Sequence, residues 1–392
     1  MKVAFISHDS GLYGATRSLL NLIEGLQTLG ISPHVVLPHK GEMTKLLHEK
    51  NIPFVIINHK HWVSGFKPKA KLFNYPKRYL KWRFYAIWRL AVNLIGLQKL
   101  IRQLKVWDAD IVYTNTSVIP IGAIAAAIIK KPHVWHIREF KDLDHELYLD
   151  WGNKAFRSLL NRSAAQIVIS KALHEYLKIY LTRSKTHIVP NGIAFASQFD
   201  EYNKLREEKQ QQANTYTFLI MGFISRRKGQ HGAIKAISLL KDKYPGIKLL
   251  VVGSGGHRVL KRMIKDYKLE QMVDLVGHMD DPYNAYIAAD ALLMCSSHEA
   301  FGRVTVEAMS AGLPVIGLNN AATSEIVQHE HTGLLYQGQE KELAACMEQF
   351  INNPGWAKTL GENGWQLSKE KYNIEKYSRR VYEILGSVLQ SN

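Results

Sequence analysis

The first half of the chain alternates between short apolar runs and segments with a helical period. An apolar run at 3–7, a helical pattern at 16–29 and a second apolar run at 34–37 predict a β-α-β unit. Further apolar runs, separated by helical segments, lie at residues 54–57, 111–114, 133–136 and 166–170. Unbroken apolar strands that alternate with helices are typical of a parallel sheet covered on both faces.

A second series of the same kind begins after residue 214. The turn at Pro190, Asn191 and Gly192 and a polar stretch at 197–214 separate it from the first series. Its predicted elements are strands at 217–221, 248–252, 273–276, 291–295 and 314–317 and a helix at 229–240. We therefore predict an α/β protein with two domains in tandem, over residues 1–192 and 193–374. The amphipathic segment 375–392 is expected to form a helix that packs back on the first domain.

The composition is that of an ordinary globular protein. Apolar residues make up 46% and charged residues 22% of the 392 positions, which argues against disorder and fibrous repeats. The two cysteines, Cys295 and Cys346, are too few for a disulfide framework or a cysteine-based zinc cluster, which fits a reducing compartment. The N-terminus lacks the apolar core of a signal peptide. The longest apolar run, at 118–129, is shorter than a bilayer span of about 20 residues. We expect a soluble, cytoplasmic protein.

The net charge of +17 is concentrated in the first half of the chain. Residues 1–195 hold 28 basic and 12 acidic residues, whereas residues 196–392 hold 23 and 22. No Asp or Glu occurs between Glu49 and Asp108, a stretch that contains 13 Lys or Arg residues. Such asymmetry predicts an anionic partner for the first half: nucleic acid, an anionic membrane or an acidic substrate.

Two loops that join a predicted strand to a helix have residues suited to phosphate. In the first domain, the turn that ends at Gly14 allows close backbone approach to an anion at a helix N-terminus. Its glycine spacing is not that of a dinucleotide site, and a plain tight turn explains it as well. In the second domain, Arg226, Arg227 and Lys228 would bind a diphosphate at the carboxyl end of a strand. A solvated basic turn is the alternative there.

A pair of glutamates follows the predicted strand at 291–295. Glu299 lies in the loop before a helix, and Glu307 lies eight positions later. Carboxylates accept hydrogen bonds from hydroxyls, so the two would bracket a ligand rich in hydroxyl groups. A single glutamate at a helix N-terminus would be only a favourable dipole partner. Here the small residues Ala300 and Gly302 leave backbone N–H groups accessible as well.

In combination these motifs resemble the GT-B-fold retaining glycosyltransferases of family 4, the glycosyl transferases group 1. The resemblance extends over nearly the whole chain. Its further motifs are Val189-Pro190-Asn191-Gly192, Lys228-Gly229, Val251-Val252-Gly253-Ser254-Gly255, Ser296-Ser297, the run from Glu307 to Ile316, and Glu325-Ile326-Val327 before Thr332-Gly333-Leu334-Leu335. It implies two Rossmann-like domains that face a central cleft, with the acceptor on the first domain and a nucleotide-sugar donor on the second.

The resemblance also implies roles for individual residues. Glu299 would contact hydroxyls of the donor sugar, Glu307 the ribose hydroxyls and Lys228 the diphosphate. His136 matches a histidine that contacts the transferred sugar near the reaction centre, so the catalytic candidates are His136 and Glu299. The other donor-binding candidates are Gly14, Arg226, Arg227, Gly253, Ala300, Phe301 and Gly302.

Two positions depart from the family pattern. The family usually has an arginine where this chain has Phe223, and Arg226 or Arg227 is expected to replace it. A Gly-Gly pair is common where this chain has Ala321 and Ala322, so the local backbone contacts are expected to differ.

The implied reaction is transfer of a sugar, of the hexosyltransferase type, with retention and with the leaving phosphate as base. No cofactor or metal is expected, because Lys228, the neighbouring arginines and helix N-termini can stabilise the leaving diphosphate. The Asp-x-Asp pairs Asp108/Asp110 and Asp142/Asp144 do not by themselves supply the oxygen ligands that a hard cation needs. A nucleotide-sugar epimerase or hydrolase on the same architecture is an alternative.

The segment 59–107 interleaves cations with aromatic residues. The aromatic residues are Trp62, Phe66, Phe73, Tyr75, Tyr79, Trp82, Phe84, Tyr85 and Trp88. Such segments bind anionic membrane surfaces, where each cation contributes about 1 kcal/mol, but nucleic-acid platforms share the composition. Because the chain also has a predicted nucleotide-sugar site, we favour an anionic membrane as the partner of this segment, with a lipid-linked or glycan acceptor and no nucleic acid. The alternatives are a nucleic-acid binder and an ordinary basic helix face. The expectation is a peripheral enzyme of cell-surface polysaccharide or glycoconjugate synthesis on the inner face of the cytoplasmic membrane.

Overall fold

The computed structural model describes residues 1–65, 76–180, 185–207, 215–279 and 281–391. Contacts divide the chain into two compact units. The first unit comprises Met1–Gly192 and Ile374–Asn392, and the second comprises Ile193–Asn373. The structure divides the chain after residues 192 and 373, whereas the sequence predicted boundaries after residues 192 and 374.

The first unit is built on a parallel sheet. Its strands are β1 (Lys2–Ile6), β2 (Ser32–Leu37), β3 (Phe54–Ile56), β4 (Val63–Ser64), β5 (Ile111–Asn115), β6 (His133–Ile137), β7 (Tyr148–Leu149), β8 (Ala165–Val168) and β9 (Lys185–Ile188). Its helices before residue 192 are α1 (Gly14–Gln27), α2 (Glu42–Glu49), α3 (Pro76–Trp107), α4 (Ile121–Ile129), α5 (Asp142–His145), α6 (Gly152–Arg162) and α7 (Lys171–Leu177). Among the described residues, seven strands form the sheet in the order β3-β2-β1-β5-β6-β8-β9, and β4 pairs antiparallel with β7.

The second unit repeats this plan. Its strands are β10 (Tyr216–Met221), β11 (Ile247–Val252), β12 (Val273–Gly277), β13 (Ala291–Met294), β14 (Val315–Leu318) and β15 (Gly333–Tyr336). Its helices are α8 (Ala196–Glu207), α9 (Gln230–Leu240), α10 (His257–Asp266), α11 (Tyr283–Ala288), α12 (Arg303–Ser310), α13 (Thr323–Ile326), α14 (Glu340–Asn352) and α15 (Pro354–Lys371), and Arg226–Lys228 form a turn of 3₁₀ helix. The strands form a parallel sheet in the order β12-β11-β10-β13-β14-β15.

Both sheets have the strand order of a Rossmann fold. Numbered within each sheet, the order begins 3-2-1-4-5-6 in both units. The direction reverses between β1 and β5 in the first unit and between β10 and β13 in the second. Ligands of such sheets bind outside the carboxyl ends of the strands at this reversal. The predicted α/β class with parallel sheets is confirmed, and the loops after these four strands are where a site is expected.

The predicted apolar runs form the interior strands of the sheets. Strands of a parallel sheet that is covered on both faces are buried on both sides, so they are apolar throughout. In β1, the side chains from Val3 to Ile6 are fully buried, and β5, β6 and β13 are buried along their whole length. The sequence predicted no strand at β9, where Lys185, Thr186 and His187 are polar. This strand lies at the edge of the sheet, and the side chains of Thr186, His187 and Ile188 are partly exposed, so it lacks the apolar pattern of the interior strands.

The last helix, α16 (Ile374–Gln390), belongs to the first unit. Its buried side chains Tyr377, Val381 and Leu385 join those of α1 in the core of this unit. Gly25 of α1 permits the close approach, because a Cβ at that position would lie 2.6 Å from the Ser378 Cβ. The C-terminal segment therefore completes the first unit from the far end of the chain.

Helix α3 contains the described part of the basic, aromatic segment. Residues 66–75 of that segment, with Phe66, Phe73 and Tyr75, lie outside the described residues. The helix is anchored at the buried Asp150, whose Oδ1 accepts a hydrogen bond from Trp82 Nε1 (3.0 Å). Arg89 forms an ion pair with the same carboxylate at 2.7 Å. Of the helices in the described ranges, none combines the length and the apolar character that crossing a bilayer requires.

Candidate active site

The loop after β10 turns sharply into α9. Ser225 precedes the 3₁₀ turn, and its Oγ accepts a hydrogen bond from the backbone N–H of Lys228 (3.4 Å). Gly229 ends the turn with a φ of 79°, and a Cβ on it would lie 2.4 Å from the carbonyl oxygen of Cys295. Only glycine fits there. This close approach sets the Lys228 turn against the end of β13, the neighbouring strand at the reversal.

The three cations of this turn point in different directions. Successive side chains of a 3₁₀ helix lie about 120° apart around its axis. Lys228 forms an ion pair with Glu299. Arg226 is exposed and lies near His231, whose pKa is lowered by burial and by this positive neighbour. Phe223, at the position of the missing arginine, is 64% exposed. The structure therefore brings Lys228, and not Arg226, to the carboxylate.

Two loops of the second unit meet around Glu299. The Lys228–Glu299 ion pair joins the loop after β10 to the loop after β13. A backbone hydrogen bond from Ser297 N–H to the Arg227 carbonyl (2.9 Å) connects the same two loops. Glu299 is therefore fixed at the strand reversal by both its side chain and its neighbours.

The loop after β14 adds a third contact through the alanines that depart from the family pattern. The Ala322 N–H donates to the Glu299 carbonyl (3.1 Å). Ala321 has a φ of 47°, a left-handed conformation that costs a residue with a Cβ roughly 1–2 kcal/mol. Ala321 thus adopts, with strain, a backbone conformation that glycine would adopt freely.

Helix α12 begins at Arg303, after the three residues that follow Glu299. Gly302 precedes the helix with a φ of 78°. Within the described residues, the backbone N–H groups of Ala300, Phe301 and Gly302 have no hydrogen-bond acceptor. Free N–H groups at a helix start carry partial positive charge and bind anions. Together with Lys228, they place several donors beside one carboxylate.

Glu307 lies one turn into α12 and is buried. Its Oε1 accepts a hydrogen bond from Arg303 Nε (2.6 Å), and its Oε2 accepts one from the Tyr286 hydroxyl (2.9 Å). Burial and the Glu307 charge raise the pKa of Tyr286 well above its usual value, so this hydroxyl keeps its proton and donates. Because a carboxylate has about four acceptor positions, two remain for hydroxyl groups of a ligand.

The candidate residues Gly253 and Gly14 differ in the space around their Cα atoms. Gly253 follows β11 with a φ of 147°, and a Cβ there would lie 2.0 Å from the Gly222 carbonyl oxygen. The close approach of two backbone segments explains this glycine without a ligand. Gly14 opens α1, and no atom lies within 4 Å of where its Cβ would be. The space beside Gly14 is therefore open to a ligand.

His136 lies in the first unit near the carboxyl end of β6 and is fully buried. Its Nδ1 lies 2.5 Å from the Tyr113 hydroxyl and 3.1 Å from Arg138 Nη2. Burial and the positive charge of Arg138 hold its pKa well below the usual value, so the ring is neutral. Its Nε2 has no hydrogen-bond partner among the described residues.

The two Asp-x-Asp pairs have local partners. Asp110 accepts a hydrogen bond from the Lys2 N–H (2.7 Å), and Asp108 lies 3.7 Å from the Lys2 ammonium. Asp142 accepts from the Tyr176 hydroxyl (2.5 Å), and Asp144 accepts a backbone N–H. No group of three or more His, Cys, Asp or Glu side chains in the described ranges is arranged to hold a metal ion.

The structure therefore forms two separate sets of candidates. In the second unit, Lys228, Glu299 and Glu307 gather around the start of α12. In the first unit, His136 lies near the carboxyl end of β6, and Gly14 follows β1, which is one of the two strands at the reversal. Sequence reasoning missed the partners Arg138, Tyr286, Arg303 and Tyr377. Only Arg303 had a local signal, since it precedes Glu307 by one helical turn.

Two family models match the chain, one in each half. Residues 13–196 match the model described as Glycosyltransferase Family 4, and residues 201–366 match the model described as Glycosyl transferases group 1. Together they account for most of the sequence.

Curated relatives and solved structures agree with these models. The chain is 29% identical over 288 residues to the capsular polysaccharide biosynthesis glycosyltransferase CapM of Staphylococcus aureus. This alignment covers 68% of this chain and 73% of the relative. It is 22% identical to the alpha-monoglucosyldiacylglycerol synthase of Acholeplasma laidlawii, over 97% of this chain and 94% of the relative. The crystal structure of Anabaena Alr3699/HepE in complex with UDP superposes with a TM-score of 0.80 at 23% identity, over 99% of this chain and 100% of that one. Three further relatives align over roughly half of their own length.

The chain is a glycosyltransferase with the GT-B fold, built from two Rossmann-like domains. It belongs to the family 4, group 1 glycosyltransferases, which are enzymes of the hexosyltransferase type.

Proposed function

We propose that the protein transfers a hexosyl group from a UDP-sugar, with retention, to a lipid-linked or glycan acceptor in cell-surface polysaccharide or glycoconjugate synthesis. The observation that carries this proposal is the set of groups at the start of α12. Lys228, Glu299, Glu307 and three free N–H groups surround one helix N-terminus at a strand reversal. UDP as the nucleotide is supported by Anabaena HepE, which has been crystallised with UDP and with UDP-glucose.

Each group in this set has a separate role in the proposed complex. The Glu307 carboxylate accepts hydrogen bonds from the ribose hydroxyls, and Glu299 accepts them from the transferred sugar. The N–H groups of Ala300, Phe301 and Gly302 bind phosphate and sugar oxygens. Lys228 already contacts Glu299, so a diphosphate would share its ammonium with that carboxylate.

The bond changes follow from these roles. The bond from the anomeric carbon to the diphosphate oxygen breaks, and the acceptor oxygen bonds to the same carbon on the same face. The acceptor proton passes to the leaving phosphate oxygen, because both glutamates are used in binding. Lys228 and the α12 N–H groups stabilise the charge that develops on the diphosphate. Since protein groups supply this stabilisation, we propose a reaction without a metal cofactor.

Binding and product analysis test this proposal. UDP-, GDP- and ADP-sugars are compared by thermal shift, where a ligand at 100 times its Kd adds about 2.7 kcal/mol. We expect stabilisation by a UDP-sugar and, with acceptor present, a product whose anomeric configuration by NMR matches that of the donor. An inverted anomer would refute retention. Free sugar or an epimer released equally fast without acceptor would make the protein a hydrolase or an epimerase.

We also propose that α3 binds an anionic membrane surface on the cytoplasmic side. Six of its exposed apolar side chains follow a helical spacing along the face opposite Trp82. These six are Leu80, Phe84, Ile87, Ala91, Leu94 and Ile95, which we call the apolar stripe. Exposed lysines border it, namely Lys77, Lys81 and Lys99. An apolar row flanked by cations, without nearby acids, is suited to the interface of an anionic bilayer. The Acholeplasma relative is by name a glucolipid synthase, which supports a lipid acceptor.

Vesicle flotation tests the apolar stripe. Wild-type protein is expected to float with phosphatidylcholine vesicles that contain phosphatidylglycerol, to stay unbound with phosphatidylcholine alone, and to be released by salt. The variant Leu94→Glu should lose at least about tenfold in partitioning, since it places a charge in the stripe. Leu239→Glu is the matched control, because Leu239 in the second unit is 53% exposed and Leu94 is 55% exposed. Equal behaviour of the two variants would refute the assignment.

A further inference from the structure

Arg138 is a buried cation whose partners are all neutral. It follows β6 directly and is 6% exposed. Its Nε donates to Asn115 Oδ1 (2.6 Å), and its Nη1 donates to Asn191 Oδ1. Its Nη2 donates to the Tyr377 hydroxyl (2.8 Å) and to His136 Nδ1 (3.1 Å). In the part of the chain that the structure describes, no carboxylate forms an ion pair with it. A buried charge without a counter-charge is costly, so a purely structural role would favour a neutral residue.

The contact with Arg138 determines which nitrogen of His136 carries the proton. A guanidinium has donors but no acceptor, so His136 Nδ1 must present a lone pair to it. The neutral imidazole then has its proton on Nε2. The Tyr113 hydroxyl also contacts Nδ1, but a hydroxyl can donate or accept and would permit either tautomer. Arg138 is therefore the group that decides between them.

The resulting N–H group is a donor without an acceptor in the described part of the protein. His136 Nε2 is buried and has no partner among the described residues. An unsatisfied buried donor is unfavourable, and it gains an acceptor when an oxygen atom of a ligand binds beside it.

We propose that Arg138 and Tyr377 are positioning residues that hold His136 as a fixed Nε2–H donor to an oxygen of the transferred sugar. Arg138 sets the tautomer, and Tyr377 fixes the end of the guanidinium that contacts Nδ1. Tyr377 lies in α16, which gives the C-terminal helix a part in the reaction. This inference rests on the proposed function, because the sugar oxygen belongs to that reaction. It assigns His136 the role of a hydrogen-bond donor and excludes it as a base.

Nitrogen-15 NMR of the full-length protein tests the tautomer without any substrate. Two-bond correlations in protein labelled at histidine distinguish the two tautomers, and His136→Gln identifies the His136 signals among the 17 histidines. Wild-type His136 should show the Nε2–H form. Arg138→Met, which removes the donors, should make the Nδ1–H form detectable. Tyr113→Phe should leave the Nε2–H form unchanged, because Arg138 remains. An Nε2–H form that persists in folded Arg138→Met would overturn the inference.

Kinetics then separate this role from a structural one. Arg138→Met should lower kcat by about 100-fold, as loss of one transition-state hydrogen bond does, with a smaller change in donor KM. Arg138→Lys, which keeps a charged donor, should recover part of kcat. Tyr377→Phe removes a single hydroxyl and should lower kcat while donor KM stays nearly unchanged. This variant provides the test if Arg138→Met does not fold. Unchanged kcat in folded Tyr377→Phe would remove Tyr377 from the proposal. If the wild-type tautomer is as expected but no sugar is transferred, the proposed function fails and the tautomer assignment stands.

Discussion

The two units share one strand order, but their candidate residues have different buried partners. In the second unit, the site carboxylates Glu299 and Glu307 are paired with the cations Lys228 and Arg303. In the first unit, the buried cation Arg138 has neutral partners. Burial also lowers the pKa of several histidines of this unit, among them His8, His59, His133 and His136. The candidate residues are thus ion-paired carboxylates in the second unit and a neutral imidazole beside a cation in the first.

The fold sets where a candidate site lies, whereas the buried partners set its chemistry. Both sets of candidates lie at or beyond the carboxyl ends of parallel strands. Paired carboxylates are suited to hydroxyl groups and, with their cations, to a diphosphate. Neutral imidazoles are suited to donating or accepting single hydrogen bonds without adding charge.

Acidification should produce the largest difference between the units. Burial lowers the pKa of His8 and of His133 from 6.5 to about 3. Below about pH 6.5 the unfolded chain binds protons that the folded first unit does not, so stability falls as the pH falls. At about pH 5 each of these histidines lowers the free energy of unfolding by roughly 2 kcal/mol, because each pH unit below 6.5 contributes about 1.4 kcal/mol.

Hydrogen exchange at about pH 7 and about pH 5, corrected for the intrinsic rate, measures this effect. Peptides from β1 and β6 should lose protection, and peptides from β10 and β13 should lose much less. Replacing His133 by Gln should weaken the pH dependence of the first unit. An equal loss in both units would show that the contrast in buried groups has no thermodynamic consequence.

Loss of the cation beside Glu299 should have the next largest effect. Lys228→Met removes the charge that faces the diphosphate and leaves Glu299 unpaired. We expect kcat/KM for the donor to fall by about 100- to 1000-fold, which corresponds to a loss of roughly 3–4 kcal/mol of transition-state stabilisation. Steady-state kinetics measure it. Lys235→Met is the control, because Lys235 forms an exposed ion pair with Glu340 at 3.0 Å in the same unit and should change little. Similar losses in both variants would mean that Lys228 has no special role.

Neutralisation of Glu307 should have a smaller effect, confined to nucleotide binding. Glu307→Gln weakens the hydrogen bonds to the ribose hydroxyls, and the Kd for UDP should rise about tenfold, or about 1.4 kcal/mol. Titration calorimetry measures this value, with Glu340→Gln as the surface control. Unchanged UDP affinity together with a lost kcat would contradict the ribose assignment.

The smallest expected effect concerns the backbone beside Glu299. Ala321→Gly removes the strain of a φ of 47° but adds freedom to the unfolded chain, so stability should rise by about 0.5–1 kcal/mol. Ala322→Gly is the control. Ala322 has an ordinary helical φ of −68°, and the change should cost about 1 kcal/mol. Urea denaturation measures both. Destabilisation by Ala321→Gly would show that no strain is stored there.

Sequence patterns predicted most of the architecture. The strands β1, β5, β6, β10 and β13 were predicted, because interior strands of a covered parallel sheet must be apolar throughout. The motifs around Lys228, Glu299 and Glu307 were predicted as well, since a strand, a loop and a helix N-terminus are contiguous in the chain. The edge strand β9 was missed, because three of its four residues are polar and it lacks an apolar run.

The contacts between the candidate residues and their partners could not be read from the sequence. A row of three cations in the sequence does not reveal that a 3₁₀ turn separates Arg226 from Lys228. Arg138 and Tyr377 are 239 residues apart, and no local pattern relates them. The sequence alone predicted most of the elements and the position of the candidate site, since these depend on neighbours along the chain. Burial, tautomer and charge pairing depend on groups brought together from distant parts of the chain, so only the folded structure decides them.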